Sequence, residues 1–394
     1  MAPASAQPAG VLDLETALAP FAEASGWLVA VSGGPDSMAL LRLIAAWAEQ
    51  CPHPPIHAAT VDHGLRPDSR AEAETVNRWA ADIGIPHSIL TWRGEKPATR
   101  IQERARAARY TLLAEQADAI GASVLLTAHH ADDQAETVLF RLLRGSHIGG
   151  LAGMAPVVRR GALSHIRPLL GTGKSDLVAF CERIGQPYVS DPSNNDPRYA
   201  RVRMRRLASA LEAEGLSRDA LLRFARRSAR AEAALAEVAA RARAALEASR
   251  TATSFAAPAQ EFALMAEETC LRVLLGEISR IGGDSRPPRL ERAEALLTRL
   301  LPALRAGMPF AATLGGTRIR LAGGDLRIDS EGPRRADSVR WPVPMANQSE
   351  KMLGGLSGKP ALPLARHPGE LKLSATQKRP DGADMPTTPA LGPL

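Results

Sequence analysis

"VSGGPDSMALL", residues 31–41, joins the end of an apolar run, "WLVAV" at 27–31, to a second apolar run of helical character. A strand that passes through a glycine-rich turn into a helix start makes an anion site. Backbone N–H groups converge there, and the helix dipole favours negative charge. Gly33 and Gly34 allow the backbone to approach an anion closely, and Ser32 and Ser37 offer hydroxyl donors. Pro35 suits the first turn of the helix. Asp36 is a misfit beside a phosphate unless a cation stands between them, so the turn implies Mg²⁺. The spacing is not the G-x-x-x-x-G-K-[ST] of kinase and GTPase loops.

The pattern repeats outward from this turn. "PPIHAATVDHG", "PHSILTW" and "SVLLTA" read as three further strands, with helical patterns over 37–50, 69–84 and 99–121 between them. Strands alternating with helices predict an α/β fold with a doubly wound parallel sheet, whose ligands bind beyond the carboxyl ends of the strands. From about 198 to 249 the chain reads as long, Ala- and Arg-rich helix. A small α+β unit is expected over 250–332, with a helix in "PRLERAEALLTRLLPALRAG" and strand-like runs in "FAATLGGTRIRLAGGDLRID". Residues 333–394, rich in Pro, Gly, Ser and Lys, read as a mostly disordered tail.

Composition narrows the function. The net charge of +7 suits a polyanionic partner, and Arg carries nearly all positive charge before residue 350. Cys51, Cys181 and Cys270 are widely scattered and form no C-x-x-C, which argues against a disulfide framework or a cysteine zinc site. No apolar run reaches the ~18 residues of a membrane span. "MAPASAQPAG" at the start is not a secretion signal, so a cytoplasmic location is expected.

The second motif is "TAHHADDQAETVLFRLLRG". After the strand ends at Ala128, His129, His130, Asp132, Asp133 and Glu136 follow closely. Asp133 and Glu136 are three apart and share one face of a helix, where two acids can hold Mg²⁺ or an ammonium group. "TVDHGLR" ends the second strand and presents Asp62 and His63; "IQERARAARYTLL" places Arg106 and Arg109 on a helix. "RGSHIGGLAGM", from Arg144, is a glycine-rich loop. "DPSNNDPRYARVRMRR" carries Arg198, Arg201, Arg203, Arg205 and Arg206, which suit RNA phosphates, with a solvated helix as the alternative. Arg223, Arg226, Arg227 and Arg230 form another basic helix face. "LLGTGKSDL" mimics the end of a Walker loop, but Pro168 stands where its first glycine belongs, so a plain helix start is expected.

The SGGPDS turn resembles the SGGxDS loop of the N-type ATP pyrophosphatases, which cleave ATP between the α and β phosphates and adenylate an oxygen of the substrate. Further motifs follow in order: "VDHGLR" with "EAE" soon after, "ARAARY", "AHHADDQAET", "RLLRGS…GLAGM", "RPLL" and "DPSNNDPRYAR". With these, residues 25–210 resemble the bacterial tRNA(Ile)-lysidine synthases. The resemblance implies an adenine nucleotide alpha hydrolase-like catalytic domain over 1–210, a helical linker over 211–249 and a tRNA-contacting domain over 250–332. It implies a ligase that uses ATP and Mg²⁺ to join free L-lysine to the wobble cytidine of tRNA(Ile) with a CAU anticodon.

The implied roles follow the motifs. Ser32, Gly33, Gly34, Pro35, Asp36 and Ser37 would bind ATP with Asp62 and His63, and Asp36 would hold Mg²⁺. Asp133, Glu136 and Arg201 would bind lysine, while His129 and Arg109 would work beside the reacting base. Arg144, Arg203, Arg205 and Arg206 would contact tRNA. His147 and Val202 depart from the family pattern, in which a small residue and Asn are usual. Rival readings are a tRNA thiolation enzyme on the same fold, a small-molecule amidotransferase, or a tRNA-binding relative without turnover. Oligomeric state stays open, a homodimer included.

Overall fold

The computed structural model describes residues 14–94, 96, 99, 101–189, 204, 207, 210–283 and 288–331. The short helix α1 (Leu14–Leu18) leads into β1 (Trp27–Ala30), followed by β2 (Ile56–Asp62), β3 (His87–Thr91) and β4 (Val124–Leu126). The crossovers are α2 (Pro35–Ala48), α3 (Ser69–Ile83) and α4 (Ile101–Ala119), and these four strands pair in parallel. With two later strands, β5 (Val157–Arg160) and β6 (Leu163–Ile166), the strand order is β3-β2-β1-β4-β6-β5. From β1 the chain winds outward to β2 and β3, then returns to lay β4 against the other side of β1. That reversal opens a crevice between the carboxyl ends of β1 and β4.

The sequence reading places no strand over 157–166. The structure adds a hairpin there, with β5 (Val157–Arg160) antiparallel to β6 (Leu163–Ile166) and β6 parallel to β4. Gly161, at φ +61°, turns the chain between Arg160 and Leu163 as a two-residue hairpin loop requires.

Helices cover both sheet faces. Met38, Leu41 and Ile44 of α2, Val76 and Ala80 of α3, and Leu177 of α7 (Lys174–Arg183) share one core with Trp27, Val29 and Leu126. Leu113 and Ala117 of α4 cover Leu28, Ala59 and Leu125 on the other face. Two more helices, α5 (Ala131–Leu142) and the single turn α6 (Ile148–Leu151), follow β4.

The expected helix over 198–249 is shorter in the structure. Gly215, at φ +91°, breaks it, and Ser217 Oγ accepts from Ala220 N at 3.2 Å to start α8 (Arg218–Ala245). One end of α8 packs Leu221 and Ala225 on Val138 and Leu139 of α5. The other end packs Ala239 into a separate core with Phe255, Leu274, Leu300 and Ile319. That core belongs to an α+β unit of α9 (Ala259–Ala263), α10 (Glu267–Gly282), α11 (Leu290–Ala306) and an antiparallel sheet. Its strands are β7 (Ser249–Arg250), β8 (Ser254–Pro258), β9 (Phe310–Leu314), β10 (Thr317–Ala322) and β11 (Asp325–Ser330), ordered β7-β8-β11-β10-β9. The tail at 333–394 lies outside the described residues. No described helix is long and apolar enough to cross a membrane.

Ion pairs tie α8 to this unit. Arg272 grips Glu232 through both carboxylate oxygens at 2.7 and 2.8 Å. Buried Glu277 accepts from Arg243 of α8 at 2.6 Å, Arg250 at 3.2 Å and Arg280 at 2.7 Å. Breaking a buried pair costs more than it ever contributed, because the remaining charges lose their partner. Glu277→Ala is expected to cost about 2–4 kcal/mol, below the full buried-pair penalty since the arginines keep partial access to water. Urea unfolding of the variant beside wild type measures it, and a loss under about 1 kcal/mol would remove Glu277 as the clamp.

Candidate active site

The turn after β1 is built as an anion cradle. Gly34 is the N-cap of α2 with an extended backbone, and Pro35 opens the helix. Ser37 Oγ accepts from Ser32 N at 3.1 Å, donates to Gly34 O at 3.0 Å and lies 3.2 Å from Ser32 Oγ. These bonds shape the loop at the N-terminus of α2, where Ser37 N and Met38 N donate to Gly34 O at 3.1 and 3.0 Å and the helix dipole favours an anion. Gly33 sits at φ +86°, and a Cβ there would stand 2.8 Å from Val76 Cγ2, so no larger residue fits.

His130 organises the facing side. It is the N-cap of α5: His130 N donates to Asp133 Oδ2 at 3.3 Å, and His130 Nδ1 lies 3.4 Å from Asp133 N. Its buried ring stands within ion-pair range of carboxylates on two motifs. His130 Nε2 is 3.5 Å from Asp36 and 3.4 Å from Asp133, and Nδ1 is 3.6 Å from Asp132. Burial alone would lower the imidazole pKa. The facing carboxylates of Asp132, Asp36 and Asp133 outweigh that and raise it to about 9. The bond to His130 in turn lowers Asp132 to about 2. Asp132 also accepts from Lys174 N at 2.8 Å, which caps α7 where the sequence mimics a Walker loop.

The two main motifs therefore meet, with Asp36 and Asp133 on one imidazolium. Glu136, one turn further along α5, lines an adjoining cavity of about 310 Å³ with His130, Asp132, Lys174, Glu212 and Arg218. At the end of β2, Asp62 Oδ1 accepts from Gly64 N at 2.9 Å and Ser69 Oγ at 2.7 Å, so this carboxylate closes the turn into α3. Buried His63 Nδ1 has no partner.

His129 faces a different neighbourhood. Its Nδ1 is 2.8 Å from Thr127 Oγ1, which is also 2.8 Å from His165 Nε2. Burial, reinforced by Arg167, Arg109 and Arg106, lowers His129 to about 2. Arg109 lies 5.3 Å from the Tyr110 ring centre. Arg144 packs on Phe140 at 4.0 Å, at the start of the glycine-rich loop. That loop is fastened down: Arg141 donates to Gly150 O and Gly153 O at 2.7 Å each, and Gln134 pairs with Met154 backbone at 2.7 and 2.9 Å. His147, the departure from the family pattern, accepts from Gly149 N at 3.1 Å and caps α6. Arg201, Arg203, Arg205 and Arg206, with Val202, lie outside the described residues.

Sequence reasoning named His130 in the second motif and the "GTGKS" stretch that holds Lys174 without giving either a role in the site, and it did not single out Arg218. The signal for His130 was present in the H-x-x-D spacing of a capping box before an apolar helix. Nothing local points to Arg218, which reaches the site from a helix over eighty positions away.

Comparison with known proteins gives the same architecture a family. The PP-loop domain family matches residues 11–211. The tRNA(Ile)-lysidine synthase of Methylobacterium sp. (strain 4-46) is 51% identical over 316 residues, 79% of this chain and 91% of that one. The chain belongs to the tRNA(Ile)-lysidine synthase family. The enzyme of the same name from Methylobacterium nodulans is 50% identical, covering 79% of this chain and 92% of its own. That of Bradyrhizobium sp. (strain BTAi1) is 44% identical, covering 83% and 96%. Lysidine synthases are ATP-dependent ligases built on a PP-loop domain, so ATP use comes with the family.

The His130 network makes stability depend on pH. The folded pKa of about 9 exceeds the ordinary 6.5, so the stabilisation is complete below 6.5 and is lost as pH rises through about 9. The ligand-free protein is expected to unfold at lower urea above pH ~9 than near neutrality. His130→Gln is expected to be weaker at neutral pH and to lack that fall. Parallel falls in both proteins would locate the titration elsewhere.

Proposed function

We propose that this chain joins free L-lysine to the wobble cytidine of tRNA(Ile) with a CAU anticodon, consuming ATP. In the first step the carbonyl oxygen on C2 of the cytidine attacks the α-phosphorus and pyrophosphate leaves. In the second, the lysine ε-amine attacks C2, loses a proton, and AMP departs with the oxygen. The product, lysidine, pairs with A rather than G. A cytoplasmic location fits these substrates.

The observation that carries this reading is the junction of the SGGPDS cradle with the α5 acids at the β1/β4 crevice. Ser32, Gly33, Gly34, Pro35 and Ser37 would hold the β and γ phosphates, which leave as pyrophosphate. Asp36 Oδ1 is buried with no hydrogen-bond partner, an arrangement that suits a cation. Among the described residues no group of three or more His, Cys, Asp and Glu could by itself hold a metal. Mg²⁺ held by Asp36 would therefore take its other ligands from phosphate and water, as this ion commonly does, and would neutralise the departing charge. Asp62 holds the β2 turn so that His63 can face the nucleotide.

Asp133 and Glu136 would receive the lysine amine, orient it by charge-assisted bonds and take up its proton. Arg201 is the proposed partner of the lysine carboxylate, and Arg218 on the cavity wall is a second cation within the same space. Arg109 and neutral His129 would sit beside the reacting base, where a neutral imidazole can accept a hydrogen bond. Arg144, Arg203, Arg205 and Arg206 would hold tRNA phosphates, and the 250–332 unit would dock more of the tRNA. Sulfur transfer is less well supported. Burial pushes Cys181 up to about 11 and Cys270 up to about 12, so neither thiol is readily ionised.

The deciding experiment follows pyrophosphate from ATP, Mg²⁺ and unmodified tRNA(Ile), with and without lysine. Turnover is expected only with lysine. Asp36→Asn is expected to reduce kcat about 100-fold or more, as loss of a metal-positioning carboxylate should. Glu136→Gln is expected to raise KM for lysine while KM for ATP holds. Pyrophosphate release indifferent to lysine would overturn the lysine assignment.

A further inference from the structure

A groove of about 950 Å³ runs along α4, between that helix and the β6 face of the sheet. Guanidinium groups gather there around one ring. The Arg106, Arg109 and Arg160 carbons lie 5.2, 5.3 and 5.6 Å from the Tyr110 ring centre. Arg167, only 7% exposed, donates to Ala155 O at 2.7 Å and lies 3.2 Å from His165 Nδ1. Its Nε is buried and has no partner. Glu103, Glu115 and Asp118 also line the groove. Even so, among the described residues no carboxylate forms an ion pair with Arg106, Arg160 or Arg167. Guanidinium groups this close repel one another unless an anion joins them. His165 shares the Thr127 hydroxyl with His129, so the groove opens directly beside the residues proposed to face the target base.

We infer that this groove holds the RNA strand next to the target nucleotide, with a backbone phosphate among Arg106, Arg160 and Arg167 and a base against the Tyr110 ring. The inference rests on the function proposed above and names the surface by which that site receives its RNA. Arginine forks match phosphate geometry, and an aromatic ring beside them accepts an unstacked base. A free nucleotide fits less well. Its phosphates have their own cradle after β1, on the other side of the crevice, and the groove is about three times the size of the Glu136 cavity.

The test uses the full chain and unmodified tRNA(Ile). Arg106 and Arg160 are exposed, so Arg106→Ala with Arg160→Ala should leave the fold intact, which thermal melting checks. The double variant is expected to bind tRNA about tenfold more weakly at low salt, with a log–log salt slope shallower by about 1–2. KM for ATP should hold. Tyr110→Leu is expected to weaken tRNA binding by about tenfold with an unchanged slope, because stacking is not an ionic contact. Wild-type tRNA affinity and slope in the double variant would overturn the inference. So would a raised KM for ATP with tRNA binding intact, which would give the groove to a nucleotide. Lysine dependence of wild-type turnover is read separately. Its absence alongside a shallower slope in the variant would sink the proposed reaction and leave the RNA groove standing.

Discussion

One proton holds the centre of this molecule together. His130 carries it, and Asp36, Asp132 and Asp133 share it across 3.4 to 3.6 Å. Without it, carboxylates from two motifs would face one another across a partly buried crevice. Unit charges about 4 Å apart repel by about 4 kcal/mol at an effective dielectric of 20, and several such pairs add up. The imidazole resolves the conflict by staying protonated well beyond its ordinary range. The same network reaches further: Asp132 caps α7 through Lys174 N and stands 3.8 Å from Arg218 at the start of α8. The ends of β1 and β4, and the helices α2, α5, α7 and α8, are thereby referred to one charge.

The neighbouring histidine shows how finely the crevice is divided. His130 is raised to about 9 and His129 is lowered to about 2. His130 is buried and His129 half-buried, and burial lowers both, so burial does not explain the difference; the sign of the surrounding charge does. The backbone at His130 is extended, at φ −122° and ψ −179°, and consecutive side chains on extended chain point to opposite sides. One ring therefore enters the acids and the other enters the arginines. The acid side lies against the turn after β1 and the cavity lined by Glu136. The arginine side opens onto the groove along α4. The proposed amine and the proposed RNA strand, of opposite charge, would thus approach one crevice from two directions without crossing.

Much of this was legible from residues alone. The order of strands and crossover helices in the first half followed from apolar runs and their periodicity, and both motifs were expected at strand ends because parallel sheets put ligands there. The β5–β6 hairpin escaped because "VVRRGALSHI" is short and mixed, and β4, the partner of β6, lies about forty positions back in register. The helix α10 escaped for another reason: its polar residues are paired rather than free in solvent, Arg272 with Glu268 and Glu232 and Arg280 with Glu277, so charge did not mark an outer surface. The choice between His129 and His130 could not be made locally. It depends on His165, which pairs with Thr127 only once β6 has joined β4.

The long helix explains why the distant α+β unit matters to the site. A 28-residue helix spans roughly 42 Å, too far for direct contact between its ends. α8 is fixed at three levels: Arg218 near Asp132, Glu232 on Arg272, and Arg243 on Glu277. Hydrophobic contact at its two ends alone would permit rotation about the axis, since Ala and Leu faces tolerate sliding. Ion pairs at successive turns with fixed partners do not. Arg223, Arg226, Arg227 and Arg230 remain exposed on this fastened helix, so their charge keeps a set position relative to the crevice. A rigid polyanion that meets both the α+β unit and the crevice would then be measured against a ruler of constant length, and discrimination among similar RNAs becomes a matter of shape as well as of base identity.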